Sequence, residues 1–519
     1  MGCRRGNPYN ARKPDRPPME SKGSEVSAVD QFAGPEEGGV MKWIRWSGLV
    51  AGPLAALLVA LQVPAELVLS DGQVLELGFP AMVTSGLAVW MALWWLSEAI
   101  SIYVTALLPL AVLPLAGVRS MADTAGPYAH PLIFLFLGGF ILALALERWD
   151  LHRRFALFVL RLVGVSPRRL VAGFMLAAAL LSMWITNTAT AIVMLPMALS
   201  IIALLPPSAL RQRFGICLLL GIAYAASIGG IGTIVGTTPN LFAASFIRSE
   251  LGYDISFAQW MSIGIPLVVV LLPLVWLLMT RVLLPLPDQL PGGQIDLDTA
   301  AAPWQRGAVL TLLIFAATAL AWISLPLLNR LPGLGQLTDT GVAVMAAIAL
   351  FTLPVDVGRR QFLLDWETAV RVPWGVLLLM GGGLSLAAAI GGTGVTQLVA
   401  QSLAGMDRWS PLLVTLAIVA LIVFLTELTS NIATTTALVP MIAALGVALG
   451  MEPLKLVIPA TMAASCAFML PVATPPNAVI FGARLLSIPQ MARVGFWVNL
   501  VAIVAVTLVS HFAIELLLF

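Results

Sequence analysis

Thirteen long apolar runs, separated by short polar connections, decide what this chain can fold into. They fall near 43–63, 79–97, 99–117, 131–147, 170–206, 214–246, 258–284, 306–328, 338–355, 372–390, 411–447, 456–483 and 494–515. A helix crosses a bilayer with about 20 apolar residues. Lipid offers no hydrogen bonds, so runs of this length must satisfy their own backbone as helices. Only 10% of the 519 residues are charged and 59% are hydrophobic, whereas soluble domains carry about 25% charged residues. A water-soluble fold could not cover its surface with so few charges. The expected class is an all-α polytopic membrane protein in a lipid bilayer.

Two runs, 170–206 and 411–447, are too long for one span and too short for two. Both carry polar residues at the centre. They fit re-entrant hairpins, which membranes tolerate where the irregular backbone lines a cavity or is buried in protein. Treating both as hairpins leaves about eleven transmembrane helices. With the N-terminus in the cytoplasm, 17 basic residues then fall inside and 5 outside, leaving aside the tail. That bias follows the positive-inside rule and puts the C-terminus outside a bacterial-type inner (plasma) membrane. Residues 149–165 place arginines and apolar residues at helical spacing, the pattern of an amphipathic helix at the cytoplasmic interface. His152 is expected on its charged face.

The remaining composition excludes several classes. A net charge of +2 gives no footprint for nucleic acid. Cys3, Cys217 and Cys466 are scattered, and His130, His152 and His511 are the only histidines, so neither a disulfide framework nor a histidine metal centre is expected. No metalloprotease motif or paired intramembrane aspartates occur, and the chain does not read as an enzyme. Residues 1–40 are polar, rich in Gly and Pro, and expected to be a disordered cytoplasmic tail without a signal-peptide core.

The two halves resemble each other. LGGF at 137–140 answers MGGG at 380–383, WITNTATAIVMLP at 184–196 answers LTSNIATTTALVP at 428–440, and GTTPN at 236–240 answers ATPPN at 473–477. The order is kept and the offset is nearly constant. An odd number of spans separates equivalent elements, so the repeat is expected to be inverted, the arrangement of secondary transporters with a midplane site. A channel is the less fitting alternative, since closed hairpins suit alternating access.

The polar motifs suggest how such a site would work. Thr186-Asn187-Thr188 and Ser430-Asn431 sit at the hairpin centres. Turns there free carbonyls for a hard cation and helix N-termini for an anion. Pro239, Pro475 and Pro476 mark breaks in spanning helices, with Asn240 and Asn477 expected to cap the helices that restart. Glu98 and Glu147 lie near span ends and are expected to be interfacial anchors. Glu427, beside the second motif, is either an ion ligand or a hydrogen-bonded structural acid.

Several stretches carry a family resemblance: LWWLSEAISIYVTALLPL (93–110), SMWITNTATA (182–191), SIGGIGTIVGTTPN (227–240), LTELTSNIATTTALVP (425–440) and CAFMLPVATPPNAVIFG (466–482). Together, over about 90–515, the chain resembles the divalent-anion/sodium symporter family. The resemblance implies a homodimer with scaffold and transport domains and an elevator motion. It implies two or more sodium ions, one near Ser182, Thr186, Asn187 and Gly236 and another near Thr426, Thr429, Asn431 and Ala473. The substrate would meet Asn187, Thr188, Thr237, Asn431, Thr474 and Pro475. Implied substrates are C4-dicarboxylates such as succinate, malate and fumarate. The alternatives are sodium-independent exchange of dicarboxylate or citrate, and sulfate-type transport. One departure stands out: Ile432 replaces the hydroxyl residue that completes the second Ser-Asn-Thr motif, a loss of about 1 kcal/mol if that hydroxyl bonds substrate. The expected organisation is a scaffold at 41–127, a first core at 128–285 with hairpin 168–208, a cytoplasmic linker at 286–305, scaffold helices at 306–370 and a second core at 371–519 with hairpin 408–448 and the last helix.

Overall fold

The computed structural model describes residues 39–68, 74–164, 166–287, 303–402 and 410–518. Residues 1–38 of the expected tail and 288–302 of the expected linker lie outside the described residues.

Helix α1 (Gly39–Gln62) is followed by a small antiparallel hairpin, β1 (Glu66–Val68) and β2 (Val74–Glu76), with Leu67 opposite Leu75. Next come α2 (Gly78–Ser97), α3 (Ile102–Thr105), α4 (Leu108–Leu115), α5 (Met121–Ala125), α6 (Pro131–Arg148) and α7 (Leu151–Val163). The pair α8 (Pro167–Ser182) and α9 (Asn187–Ala203) precedes α10 (Ala209–Gly230), α11 (Thr238–Glu250) and α12 (Phe257–Leu277). The second half runs through α13 (Arg306–Leu328), α14 (Asp339–Thr352), the hairpin β3 (Pro354–Asp356) and β4 (Gln361–Phe362), α15 (Trp366–Ala369), α16 (Trp374–Gly392) and α17 (Val395–Ser402). A second pair, α18 (Pro411–Thr426) and α19 (Asn431–Ala448), precedes α20 (Leu454–Ala464), α21 (Pro475–Phe481) and α22 (Ile488–Leu518).

The protein is a helical, multi-pass membrane protein. Among the described residues, nine helices are long and apolar enough to cross a bilayer. Eight of them fall on expected spans, and the ninth, Asn431–Ala448, is an arm of the second helix pair. The other expected spans are built from shorter pieces: α3 with α4, α14 alone, and α20 with α21.

Both overlong runs fold as a helix, a four-residue turn and a second helix, the turns lying at 183–186 and 427–430. The first arms start alike. Ser166 and Ser410 are N-caps whose hydroxyls accept from Arg169 and Leu413 N–H, each at 3.4 Å, with Pro167 and Pro411 as the first helical residues. Proline suits that place because the N–H it lacks would have no helical partner.

The core centres on α10, which is buried at every residue from Phe214 to Gly230. It packs against α8, and a Cβ on Gly229 would come within 2.2 Å of the Ala179 carbonyl oxygen. The repeated Gly-Gly motifs serve the same end. A Cβ on Gly138 would stand 2.7 Å from the Ala343 backbone, and one on Gly382 would stand 2.2 Å from Ala106 O. Small residues let membrane helices approach until van der Waals packing holds them. At the periphery, α1 shows Trp43, Trp46, Leu58 and Leu61 outward, as a lipid-facing helix does.

Helix α7 exposes Arg153, Phe158, Arg161 and Leu162 and buries Ala156, Val159 and Leu160, a mixed face fit for an interface. His152 departs from expectation: it is only 7% exposed, with Nδ1 3.3 Å from Leu146 O.

Candidate functional site

The two turns meet at one cavity of about 630 Å³. Four helices begin at its wall: α9 at Asn187, α19 at Asn431, α11 at Thr238 and the short α21 at Pro475. Their N-caps, Thr186, Ser430, Thr237 and Thr474, line it too. The starts of α9, α19 and α11 carry N–H groups without intrahelical acceptors and the positive end of a dipole, whereas α21 opens on Pro475 and Pro476, which have no N–H, and its Asn477 N–H is taken by Thr474. No lysine or arginine lines this cavity among the described residues, and its single charged wall residue is Glu98. Glu98, expected only as an interfacial anchor, ends α2 in a left-handed conformation and pairs with Arg45 at 3.0 Å. Tyr103 and Phe140 also stand in the wall. Sequence reasoning missed all three as wall residues; the only signal was a lone acid closing an apolar run.

All six residues expected to meet substrate, Asn187, Thr188, Thr237, Asn431, Thr474 and Pro475, line this cavity. Of the expected cation ligands, Thr186, Asn187, Gly236, Asn431 and Ala473 line it, while Ser182, Thr426 and Thr429 are buried outside its lining. The buried hydroxyls repeat one geometry. Ser182 donates to Asn187 Oδ1 at 2.5 Å, and Thr426 donates to Asn431 Oδ1 at 2.8 Å, each across five residues. Each half therefore gathers a hydroxyl and an amide oxygen beside a helix break, a neutral oxygen set suited to a hard cation. Thr429 is engaged otherwise, with Leu425 O at 3.0 Å and Thr434 Oγ1 at 2.6 Å.

The breaks lie at 231–237 and 465–474. Their prolines occupy the first turns of α11 and α21, so they mark where helix resumes. The asparagines do not cap. Asn240 Nδ2 donates to Gly230 O at 3.0 Å and Thr233 O at 2.8 Å, and Asn477 Nδ2 donates to Ala467 O at 3.1 Å and Leu470 O at 3.0 Å. In both halves the acceptors lie ten and seven residues back. These amides staple the irregular segments, while capping passes to Thr474, which accepts from Asn477 N–H at 3.3 Å. Ser465, missed in the sequence, approaches Thr237 at 3.3 Å and ties the two breaks together.

Besides Thr188 against Ile432, two differences between the halves bear on how the breaks are held. Gly236 faces Gly230, where a Cβ would stand 2.3 Å from the Gly230 carbonyl oxygen, whereas the matching position in the second half is Ala473. Gly236→Ala is expected to lower stability by about 1–3 kcal/mol through overpacking. Ala473→Gly, which removes one methyl, should cost less. Thermal unfolding of the purified variants checks this order.

The second difference is Glu427. Its Oε1 accepts from Phe468 N–H at 2.6 Å, Met469 N–H at 2.9 Å and Asn499 Nδ2 at 2.8 Å, while Oε2 accepts from Met469 at 3.0 Å and Leu470 at 3.1 Å. It is 3% exposed. The structural alternative for this acid is therefore the one its geometry supports: it clamps three successive amides of the second break.

A smaller cavity of about 410 Å³ adjoins the central one, and the two share Phe140, Thr186, Thr188 and Pro373. Its wall adds Glu147, His152 and Arg371.

Comparison with known proteins agrees with this architecture. Residues 92–454 match the model of the citrate transporter family, CitMHS. The sodium-dependent dicarboxylate transporter SdcS of Staphylococcus aureus (strain USA300) is 39% identical over 91% of this chain and 91% of its own. The protein of that name from Staphylococcus saprophyticus is 40% identical over 90% of this chain and 91% of its own. Among solved structures, the YdaH transporter of Alcanivorax borkumensis aligns with a TM-score of 0.58 at 17% identity, covering 92% of this chain and 98% of that one. MtrF of Neisseria gonorrhoeae aligns with a TM-score of 0.59 at 12% identity, covering 92% and 96%. Helices of membrane length, paired helix turns at one cavity and relatives matched over nine-tenths of the chain lead to one assignment: this protein is a membrane transporter, not an enzyme, and belongs to the divalent-anion/sodium symporter family together with its citrate-transporter relatives.

Proposed function

We propose that this protein carries C4-dicarboxylates such as succinate, malate and fumarate across a bacterial inner membrane together with sodium ions. The observation that carries this reading is the cavity itself: four helix N-termini and two asparagine tips surround a space that no lysine or arginine lines among the described residues. A dianion placed there is held by N–H groups, hydroxyls and cations, not by salt bridges. Sodium and substrate then lower each other's cost of burial, which is thermodynamic coupling. The cavity volume lies within the ordinary range for small-molecule sites.

In this reading Ser182, Thr186, Asn187 and Gly236 hold one sodium, and Thr426, Thr429, Asn431 and Ala473 hold another. The helix pairs and breaks form a transport domain that moves against a scaffold in an inverted repeat, within a homodimer whose N-termini are cytoplasmic and C-termini outside.

Uptake of labelled succinate into proteoliposomes tests the reading. An inward sodium gradient should drive accumulation that an equal potassium gradient does not. Uptake that ignores sodium but needs internal dicarboxylate would replace symport by exchange. Ile432 stands in the cavity wall where a hydroxyl would complete the motif, which favours a shifted choice of anion, so citrate and sulfate belong in the same assay.

A further inference from the structure

Among the described residues no basic side chain lines the central cavity, yet the adjoining cavity of about 410 Å³, the vestibule, has one. Arg371 lies in the vestibule wall, is exposed, and has no side-chain hydrogen bond or ion pair among the described residues. Glu147, across the chain on α6, lines the same cavity, is exposed, and likewise has no such side-chain partner among the described residues. The nearby Arg148 differs sharply. It donates to Asp365 and, at 3.1 Å, to Thr368 Oγ1, closing a latch between α6 and α15. The Asp365 carboxyl is held down at about 2, first by the Thr368 hydroxyl and also by Arg148, so that latch stays charged and paired at neutral pH. His152, the other polar ring in the vestibule, is buried with Nδ1 close to the Leu146 carbonyl. One guanidinium and one carboxylate are thus left free in the only space that shares Thr186 and Thr188 with the central cavity among the cavities described.

We infer that the vestibule is a charge-sorting antechamber, in which Arg371 receives the substrate's carboxylate and Glu147 receives the cation before both pass Thr186 and Thr188 to the central cavity. This rests on the dicarboxylate and sodium reading above. Both residues are positioning residues, acting on approach and not on the bound state. Both charges face solvent, so they act on an approaching ion through water at close range, and added salt screens them. A free guanidinium makes the first contact with a carboxylate without disturbing a structural pair, and no protein carboxylate has to be displaced from it. The central cavity can then remain free of fixed positive charge, which would otherwise bind the dianion without sodium.

The test uses full-length protein reconstituted in liposomes, with succinate and sodium kinetics measured separately from each membrane face. At low ionic strength, Arg371→Gln should raise the apparent KM for succinate about fivefold, the effect of removing one close charge in a high-dielectric setting. The maximal rate should be unchanged, and the effect should appear from one face alone. Arg371→Lys should restore most of it. Glu147→Gln should act with the opposite sign on succinate, lowering its KM, and should raise the sodium concentration needed for half-maximal rate. Choline chloride at about 0.3 M should erase most of both differences, because the Debye length falls well below 10 Å. Equal KM shifts from both faces, a fall in maximal rate that lysine does not rescue, or the same sign for both variants would overturn the proposal. Failure of the underlying reading is distinct, since wild-type protein would then show no sodium-driven succinate uptake at all.

Discussion

Asn187→Ala and Asn431→Ala should each remove most sodium-driven uptake while leaving the protein folded. Each asparagine stands first in its helix, lines the central cavity and accepts a hydroxyl from five residues upstream. Alanine keeps the helix start and deletes the amide. A contact to a charged group contributes about 1.5–3 kcal/mol, so sodium or substrate affinity should fall about 10- to 150-fold for each variant. The two need not be equal. If the halves hold separate sodium ions, each single variant should flatten the sigmoid dependence of rate on sodium concentration. Unaltered sodium dependence in either variant, with normal expression, would remove that asparagine from the cation site.

Glu427→Leu should be the most destabilising single change near the site. The leucine deletes the acceptor for three backbone N–H groups and for the Asn499 amide, all in the interior. Each buried donor left without an acceptor costs about 1–3 kcal/mol, and the leucine leaves several at once. Glu427→Gln keeps one carbonyl oxygen but turns an NH2 toward donors, and should fall between leucine and wild type. Thermal unfolding of the purified protein orders the three. A leucine variant as stable as wild type would mean that the second break holds its shape without the acid. The first half provides the contrast: Met183 occupies the matching place, and Thr233 Oγ1 donates to its carbonyl at 2.6 Å. One break is therefore tied by a carboxylate and the other by neutral bonds, although the sequence motifs around them are similar.

The spans, the paired turns and the breaks were legible from the chain alone. Each depends on neighbours close in sequence: a run of apolar side chains, polar residues at the centre of an overlong run, a proline that cannot continue a helix. The tip residues were legible for another reason. Asn187 and Asn431 stand out because polar side chains are rare in runs that lipid or packed helices must surround. Where the reading failed, the partner lay far away. Asn240 and Asn477 looked like caps, since asparagine before a helix usually is one, but the broken backbone behind them offered carbonyls that bind the amide more usefully. Glu98 looked like an anchor, and its pairing with Arg45 fits that view, yet α3 and α16 bring Tyr103 and Val376 beside it as cavity wall.

The sequence by itself determined that this protein lives in a membrane, that it folds as helices in two similar halves, and which residues are the polar exceptions at their centres. These follow from hydropathy and backbone hydrogen bonding, which act over one turn or one span. Only the tertiary structure decided that the two tips, 244 residues apart in the chain, share one cavity, that Glu427 clamps a break 41–43 residues away, and that Arg371 lines the adjoining cavity. Those outcomes depend on which buried donor meets which acceptor once the helices pack, and local patterning carries no record of that choice.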